Sequence, residues 1–396
     1  MLTATTREVI AATLPAVEGA LGEITPNFYA RMFAAHPELL DNMFNRTHQR
    51  SGEQSMALAG SIAAFARLQL EPDLRRQQFI IDRIAHKHAS LGVTRDQYSI
   101  VHEHLFAAIV EVLGDAVTPA VANAWDELYW AMADVLVREE TDLYAAAGVA
   151  PGAVWRDLVV THREQVAPDA VSFTLARPDG ADLPTFSPGQ YISVQVPLAD
   201  GARQIRQYSL TGAPDVQSEW RISVKLAGEV SAHLHESTFE GDTLHVSAPF
   251  GDLLLPEGDS PLLLASAGIG CTPVIGLLTA LAESGTERPV TVLHADRSRA
   301  GQPHRGQLGA LVEKIGSARL YQWYQQGADH LRSDDVRTGH MSLDDIDLDD
   351  GVHAMLCGPT GFLDSIRTQL VDRDVPEERI HFETFGPELL RTGASR

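Results

Sequence analysis

Apolar residues in the first 147 positions recur every three or four residues, with few glycines among them. Phe28, Tyr29, Met32 and Phe33 make one such face, and Ile62, Phe65, Ala66 and Leu70 make another. That period marks one side of an α-helix. His36-Pro37 and Glu71-Pro72 mark helix boundaries, because the ring of a proline drives the preceding residue out of the helical region. After Ala147-Gly148-Val149-Ala150-Pro151-Gly152, a linker by composition, the period shortens. Residues 191–196 and 220–225 alternate apolar and polar side chains, which predicts half-buried strands of a small antiparallel β-barrel. From about residue 259 the pattern changes again. Short, almost wholly apolar runs at 261–265, 290–294 and 353–357 alternate with helical stretches, which predicts an α/β domain with a parallel sheet. The chain therefore reads as multidomain: an all-α domain at 1–147, an antiparallel β-barrel at 153–258 and an α/β parallel-sheet domain at 259–396.

The length of 396 residues fits this division, and 44% apolar residues suffice for real cores. A formal charge of -22 argues against a nucleic-acid partner or a basic membrane-surface protein. The two cysteines, Cys271 and Cys357, cannot supply the four thiolates of an iron–sulfur cluster. Nor do they make a disulfide framework, so a reducing, cytoplasmic setting is expected. The start of the chain lacks the pattern of a signal peptide, and the apolar run near Leu262 is too short to span a bilayer, so no integral membrane segment is expected.

Four stretches in the last two domains carry chemistry. Gly268-Ile269-Gly270-Cys271-Thr272-Pro273 follows one predicted strand and opens a helix, where glycines let backbone approach a pyrophosphate and the helix N-terminus favours its charge. Cys357-Gly358-Pro359 ends another strand, and ligands of open α/β sheets gather at such carboxyl ends. Each turn by itself equally suits a structural strand-to-helix connection. In the barrel, Arg206-Gln207-Tyr208-Ser209 offers a guanidinium for phosphate, a ring on the same side of the strand for stacking, and a hydroxyl for a ring nitrogen. Gly228-Glu229-Val230-Ser231 begins a helix downstream, a further potential phosphate site.

In that order and separation, these motifs resemble the ferredoxin–NADP reductase-like family over roughly residues 153–396. The resemblance implies FAD on the strand of Arg206, Gln207, Tyr208 and Ser209, with Tyr191, Gly228, Val230 and Ser231 as further contacts. It implies NADH or NADPH on Gly268 to Pro273 and on Cys357, Gly358 and Pro359. Phe385-Gly386-Pro387 matches the family's terminal motif, whose aromatic covers the flavin ring.

Ile81, Ile84, His88 and Leu91 share one face of a helix in the first domain, so His88 is expected to point into an apolar core. Tyr29 lies on another apolar face and needs a partner for its hydroxyl. Residues 27–33, 45–50, 84–90 and 97–101 resemble the globin part of the flavohaemoglobins, and with the reductase behind it the resemblance covers the whole chain. It implies haem b with its iron on His88, and Tyr29, Gln54 and Leu58 on the oxygen side. Phe44 and Lys87 are implied to contact the haem, while Tyr98 and Glu140 hydrogen-bond around the iron-ligating imidazole. Two positions depart from the family. Cys271 stands where many members carry Gln, which would alter nucleotide affinity or introduce thiol sensitivity, and His86 replaces other polar residues. The activity implied is nitric oxide dioxygenation, NO and O₂ to nitrate, driven by NAD(P)H through FAD and haem in a monomer. Two other activities remain compatible with the same residues. One is an oxygen- or NO-binding sensor or carrier globin with an attached ferric-haem reductase. The other is a haem and flavin oxidase or hydroperoxide reductase. Asp296, after the run 290–294, is placed to take ribose hydroxyls of NADH. Arg297 and Arg299 would instead suit the extra phosphate of NADPH.

Overall fold

A computed structural model describes residues 2–46, 49, 52–70, 74–327 and 335–385, with the side chains of 53–57, 59 and 74–77 outside that description. Contacts divide the chain into two compact units. One is built on the residues up to Trp155 with Pro197–Arg206, the other on Arg156–Val196 and Gln207–Phe385.

The first unit is helical. Its longest helix, Ala4–Ala35, starts at Thr3, whose hydroxyl accepts the Thr6 amide at 3.1 Å. Ile10, Leu14, Val17, Leu21, Ile24, Phe28 and Met32 follow one another at helical spacing and are all buried. The helices Leu74–Leu91, Arg95–Leu113 and Pro119–Ala146 complete the frame that matters for the site. Arg95–Leu113 is entered at Thr94, where the Gln97 side chain accepts the Thr94 amide at 2.6 Å. Pro119 opens the next helix, where its missing N–H costs nothing. Tyr144 near the end of that helix donates to the Val93 carbonyl at 2.7 Å, tying the last helix to the turn before Arg95–Leu113.

Two sheets follow the helices in the chain. Strands β1 (Trp155–Ala167), β2 (Ala170–Ala176), β3 (Tyr191–Pro197), β4 (Arg203–Ser209), β5 (Trp220–Lys225) and β6 (Thr243–Ser247) form one six-stranded sheet in the order β4-β3-β6-β1-β2-β5. An antiparallel bridge from Leu210, just past β4, to Ile222 in β5 joins its two outer strands, so the sheet curls into the expected barrel. Its interior is filled by Phe173, Ile192, Val194, Trp220, Ile222 and Val246, all essentially inaccessible to solvent.

Strands β7 (Leu262–Ala267), β8 (Val290–Ser298), β9 (Ala318–Gln326), β10 (Val336–Thr338), β11 (His353–Cys357) and β12 (Ile380–Glu383) form a parallel sheet in the order β10-β9-β8-β7-β11-β12. The chain builds outward from β7 to β10 and then returns to the other side of β7. This reversal opens a crevice at the carboxyl ends of β7 and its neighbours. Strand β8 runs four residues beyond the apolar run that predicts it, because Ala295, Asp296 and Ser298 continue the ladder against Trp323, Tyr324 and Gln326. Asp296 thus sits in the strand, not after it. Apolar clusters pack both faces of the sheet, one around Leu263, Leu356 and Ile366, the other around Leu264, Ile275 and Leu308. Among the described residues, no helix is long and apolar enough to cross a membrane.

Candidate functional site

His88 lies near the end of the helix Leu74–Leu91. The buried line of that helix is Ile81, Ala85 and Ala89, and His88 stands beside it with 32% of its side chain exposed. The expected position in the apolar core is therefore corrected to its rim, one helical step from the fully buried line. The Nδ1 edge faces inward, 2.8 Å from Glu140 Oε1 and 2.9 Å from the Tyr98 hydroxyl. Tyr98 in turn donates to the same carboxylate oxygen. Glu140 is 2% exposed, and a buried carboxylate is tolerated only when it is bonded like this. Burial and the Glu140 charge both push the Tyr98 phenol far above its ordinary range, so it keeps the proton that it donates to Glu140. With Nδ1–H committed to Glu140, the imidazole presents Nε2 as its lone-pair nitrogen.

Tyr29 is 7% exposed and packs among aromatics, its ring centroid 4.6 Å from Phe28, 5.6 Å from Phe33 and 5.9 Å from Phe44. Burial pushes the Tyr29 phenol well up, opposed in part by the neighbouring Gln49 side chain. Gln49 Nε2 is itself buried without a hydrogen-bond partner. Gln49 thus supplies the polar side chain beside Tyr29, which sequence reasoning missed because a lone Gln in a polar run carries no periodic signal. The Gln54 side chain lies outside the described residues. Leu58 and Phe44 are partly buried against the same helical core, and Lys87 is exposed beside His88. A ring-shaped group bearing a metal fits these residues: an imidazole Nε2 on offer, a buried hydroxyl, an orphaned amide and an apolar surround.

In the barrel, Arg206, Gln207 and Tyr208 are half-buried along β4 and Ser209 is buried at its end. Ser209 Oγ has no hydrogen-bond partner although it is inaccessible to solvent, an acceptor or donor waiting for a ligand. Gln207 Nε2 donates to Ser193 Oγ at 2.9 Å. Tyr191 is buried, with its ring against Gly251, where a Cβ would come within 3.1 Å. Gly228 precedes the helix Glu229–Ser237, and Ser231 Oγ accepts the amides of Ala227 and Gly228 at 2.8 Å each. Ser231 therefore caps this helix start, while Val230 is buried beneath it. Phe385 is 46% exposed, and Gly386 and Pro387 lie outside the described residues.

The two glycine turns of the parallel sheet meet. β7 and β11 are neighbours with Ser266 opposite Cys357. A Cβ on Gly270 would stand 2.3 Å from the Cys357 carbonyl oxygen, and one on Gly358 would stand 2.7 Å from the Phe362 ring. Only glycine permits that approach. Ile269 lies within the short turn Gly268–Gly270, and Thr272 and Pro273 are buried in the first turn of the helix Cys271–Ser284. Cys271 is wholly buried, with Sγ 3.8 Å from the Pro303 carbonyl, and burial together with the Asp296 charge pushes its thiol up to about 12. Such a thiol is unreactive at neutral pH.

Beside these turns lies an open cleft of about 780 Å³ lined by residues including Lys225, Gly268, Asp296, Arg297, Pro359 and Phe362. That volume suits a nucleotide. Asp296 Oδ2 is buried without a hydrogen-bond partner at its edge. By sequence pattern Lys225 only ends a barrel strand; its place at the cleft depends on packing between barrel and sheet. Arg299 is exposed.

These features define a helical haem-type domain joined to a two-sheet flavin and nicotinamide oxidoreductase. Residues 26–136 match the globin family, 157–254 the oxidoreductase FAD-binding domain and 264–368 the oxidoreductase NAD-binding domain. Flavohaemoproteins of Deinococcus radiodurans and Bordetella pertussis are each 39% identical to the chain, covering 98% of it and 98% and 99% of their own lengths. The crystal structure of flavohaemoglobin from Malassezia yamatoensis with bound FAD and haem matches with a TM-score of 0.90 at 36% identity, over 97% of this chain and 100% of that one. The flavohaem-like FAD/NAD-binding domain of nitric oxide dioxygenase from Vibrio cholerae matches 59% of the chain with a TM-score of 0.55 at 34% identity. The chain belongs to the flavohaemoprotein family.

Proposed function

We propose that the protein is a nitric oxide dioxygenase that turns NO and O₂ into nitrate with electrons from NAD(P)H. The observation that carries this reading is the His88–Glu140–Tyr98 cluster in the same chain as the nucleotide cleft. An imidazole backed by a carboxylate is a strongly donating iron ligand, which favours oxygen activation over simple storage. Haem b supplies the oxygen chemistry and FAD converts hydride into single electrons.

His88 Nε2 would hold the iron, with Glu140 keeping the imidazole oriented and rich in electron density. Tyr29, with Gln49 beside it and Gln54 as a further donor, would stabilise negative charge developing on the diatomic substrate. Phe44 and Leu58 keep water from that space, and Lys87 suits an acidic edge group of the ring. Arg206 would take a flavin phosphate, with Tyr208, Tyr191 and Ser209 serving the flavin and its sugar chain. Gln207 and the 228–231 helix start, with Gly228, Val230 and Ser231, are assigned to the same group, and Phe385 with Gly386 and Pro387 to the flavin face. Gly268 to Pro273 and Cys357 to Pro359 would carry the nicotinamide nucleotide by backbone, and we assign NADH over NADPH because Asp296 is an anion at the cleft. We also assign a cytoplasmic setting and a monomer; the two cysteines are buried and neither is in a disulfide, which accords with a reducing compartment.

The test is stoichiometry. A hydride carries two electrons and each NO converted takes one, so about two nitrates should form per NADH oxidised in air-saturated buffer with NO. NADH oxidation that proceeds without NO-dependent nitrate would sink the proposal.

A further inference from the structure

Strands β7 and β8 place Ser266 opposite His294. Both side chains are inaccessible to solvent, and Ser266 Oγ lies 2.9 Å from His294 Nδ1. Two residues along β8, on the same face, comes Asp296. Its Oδ1 accepts the Arg297 amide at 2.6 Å. Its Oδ2 lies 3.8 Å from His294 Nε2, too far for a direct hydrogen bond, and both atoms are buried with no partner. Burial alone would raise the Asp296 carboxyl; the His294 imidazole, the Arg297 amide and the Lys225 ammonium outweigh it and hold the acid below its usual range. An ionised carboxylate is thus kept at the cleft with half its acceptor capacity unused, an arrangement that costs stability unless a ligand completes it.

The Asp296 carboxylate facing Nε2 selects the tautomer with the proton on Nε2. Nδ1 then accepts from the Ser266 hydroxyl at 2.9 Å, in preference to the Leu293 carbonyl, which that hydroxyl reaches only at 3.4 Å. A carboxylate turns easily about its last torsion, so one oxygen can close on Nε2–H while the other faces the cleft. Phosphate oxygens would be repelled there, whereas a sugar hydroxyl is a donor.

Building on the NAD(P)H reading of the cleft, we propose that His294, backed by Ser266, is a positioning residue that aims the Asp296 carboxylate at a ribose hydroxyl of the nicotinamide nucleotide. Sequence alone marks His294 as nothing more than a residue in a buried strand; the register of β7 against β8 gives it this role.

The test uses the holoprotein and stopped-flow reduction of its FAD by NADH. His294→Asn can place its amide oxygen where Nδ1 accepted the Ser266 hydroxyl, so it serves Ser266 only. His294→Gln places an amide nitrogen near Nε2. Loss of one hydrogen bond to a charged group predicts that His294→Asn raises the NADH concentration for half-maximal reduction about tenfold, with the saturating rate changed less than about threefold. His294→Gln should recover most of that affinity. In an Asp296→Ala background, His294→Asn should cost almost nothing further, since the two residues act as one chain. Equal losses in the Asn and Gln variants, or an Asn effect undiminished without Asp296, would show that His294 merely fills the core and overturn the proposal. Failure of NADH and NADPH to reduce FAD in the unmodified protein would overturn the functional reading and this inference with it.

Discussion

At the scale of single residues, the site depends on which face of a side chain is committed. His88 has one nitrogen bonded to Glu140 and Tyr98, so its chemistry is confined to the other. Replacing His88 with Ala should remove the axial donor, and the absorption spectrum of the purified variant should lose the bands of ligated haem. A spectrum identical to the parent's would exclude His88 as the ligand. Tyr29 is a neutral donor whose proton burial secures. Tyr29→Phe keeps the ring packing with Phe33 and Phe44 and deletes only the hydroxyl. Oxygen dissociation from the reduced protein should then quicken by about tenfold to a hundredfold, the range for a lost hydrogen bond to a partly charged acceptor. Flash photolysis or oxygen-trap mixing measures this directly, and an off-rate within a factor of about two of the parent's would remove Tyr29 from the proposed role.

Among elements, the informative junction is β7 with β11. Gly268-Ile269-Gly270 and Cys357-Gly358-Pro359 were each legible as a glycine turn at the end of a strand, the place proposed for the nucleotide. What sequence reading did not supply is that each needs glycine because of the other, since the Cys357 carbonyl closes over Gly270. Gly270→Ala must push these backbones apart in a region with no flexible side chain to yield. A destabilisation of about 1–3 kcal/mol is expected, with weaker NADH binding in the same variant. Calorimetry and flavin reduction check the pair, and an alanine variant as stable as the parent would show that the turns separate freely. The extension of β8 to Ser298 belongs to this scale too. Local pattern ended the strand where its apolar run ended, but pairing with β9 carries the ladder through the polar residues and sets Asp296 at the cleft.

For the molecule as a whole, buried histidines tie stability to acidity. His304 is 7% exposed, within 2.8 Å of Ser223 Oγ on the barrel and 2.9 Å of Gln307 Oε1. Burial lowers its pKa, with Arg221 acting the same way and Gln307 and Glu164 opposing. His353 and His381, stacked across β11 and β12, are lowered as well, chiefly by burial. A histidine whose folded pKa lies below its unfolded value binds its proton more readily when unfolded. Its contribution is therefore complete above the unfolded pKa near 6.5 and is lost as the pH falls from there through the folded value. The free energy of unfolding, measured by denaturant titration, should fall on acidification below about pH 6.5, at up to about 1.4 kcal/mol per pH unit for each such proton. His304→Gln should flatten that slope without removing it. An unchanged slope would mean that His304 titrates alike in both states.

Hydrophobic period alone separated the helical, barrel and parallel-sheet regions, because burial of one face imposes a repeat of 3.6 residues on a helix and two on a strand. The motifs at Arg206, Gly268 and Cys357 were readable for a similar reason: tight turns and phosphate-sized approaches restrict residue type locally. Packing between distant segments decided the rest. Glu140 and Tyr98 lie 52 and 10 residues from His88 yet share one of its nitrogens. Gln49 gained its place by standing next to Tyr29, and Lys225 by the packing of barrel on sheet. Asp296 reached the cleft only through the pairing of β8 with β9. Chain pattern records what each segment must bury, whereas the partner of a polar atom depends on which other segment arrives beside it. For that reason the class of chemistry was visible in the sequence, while the hydrogen bonds that tune it became visible only in the fold.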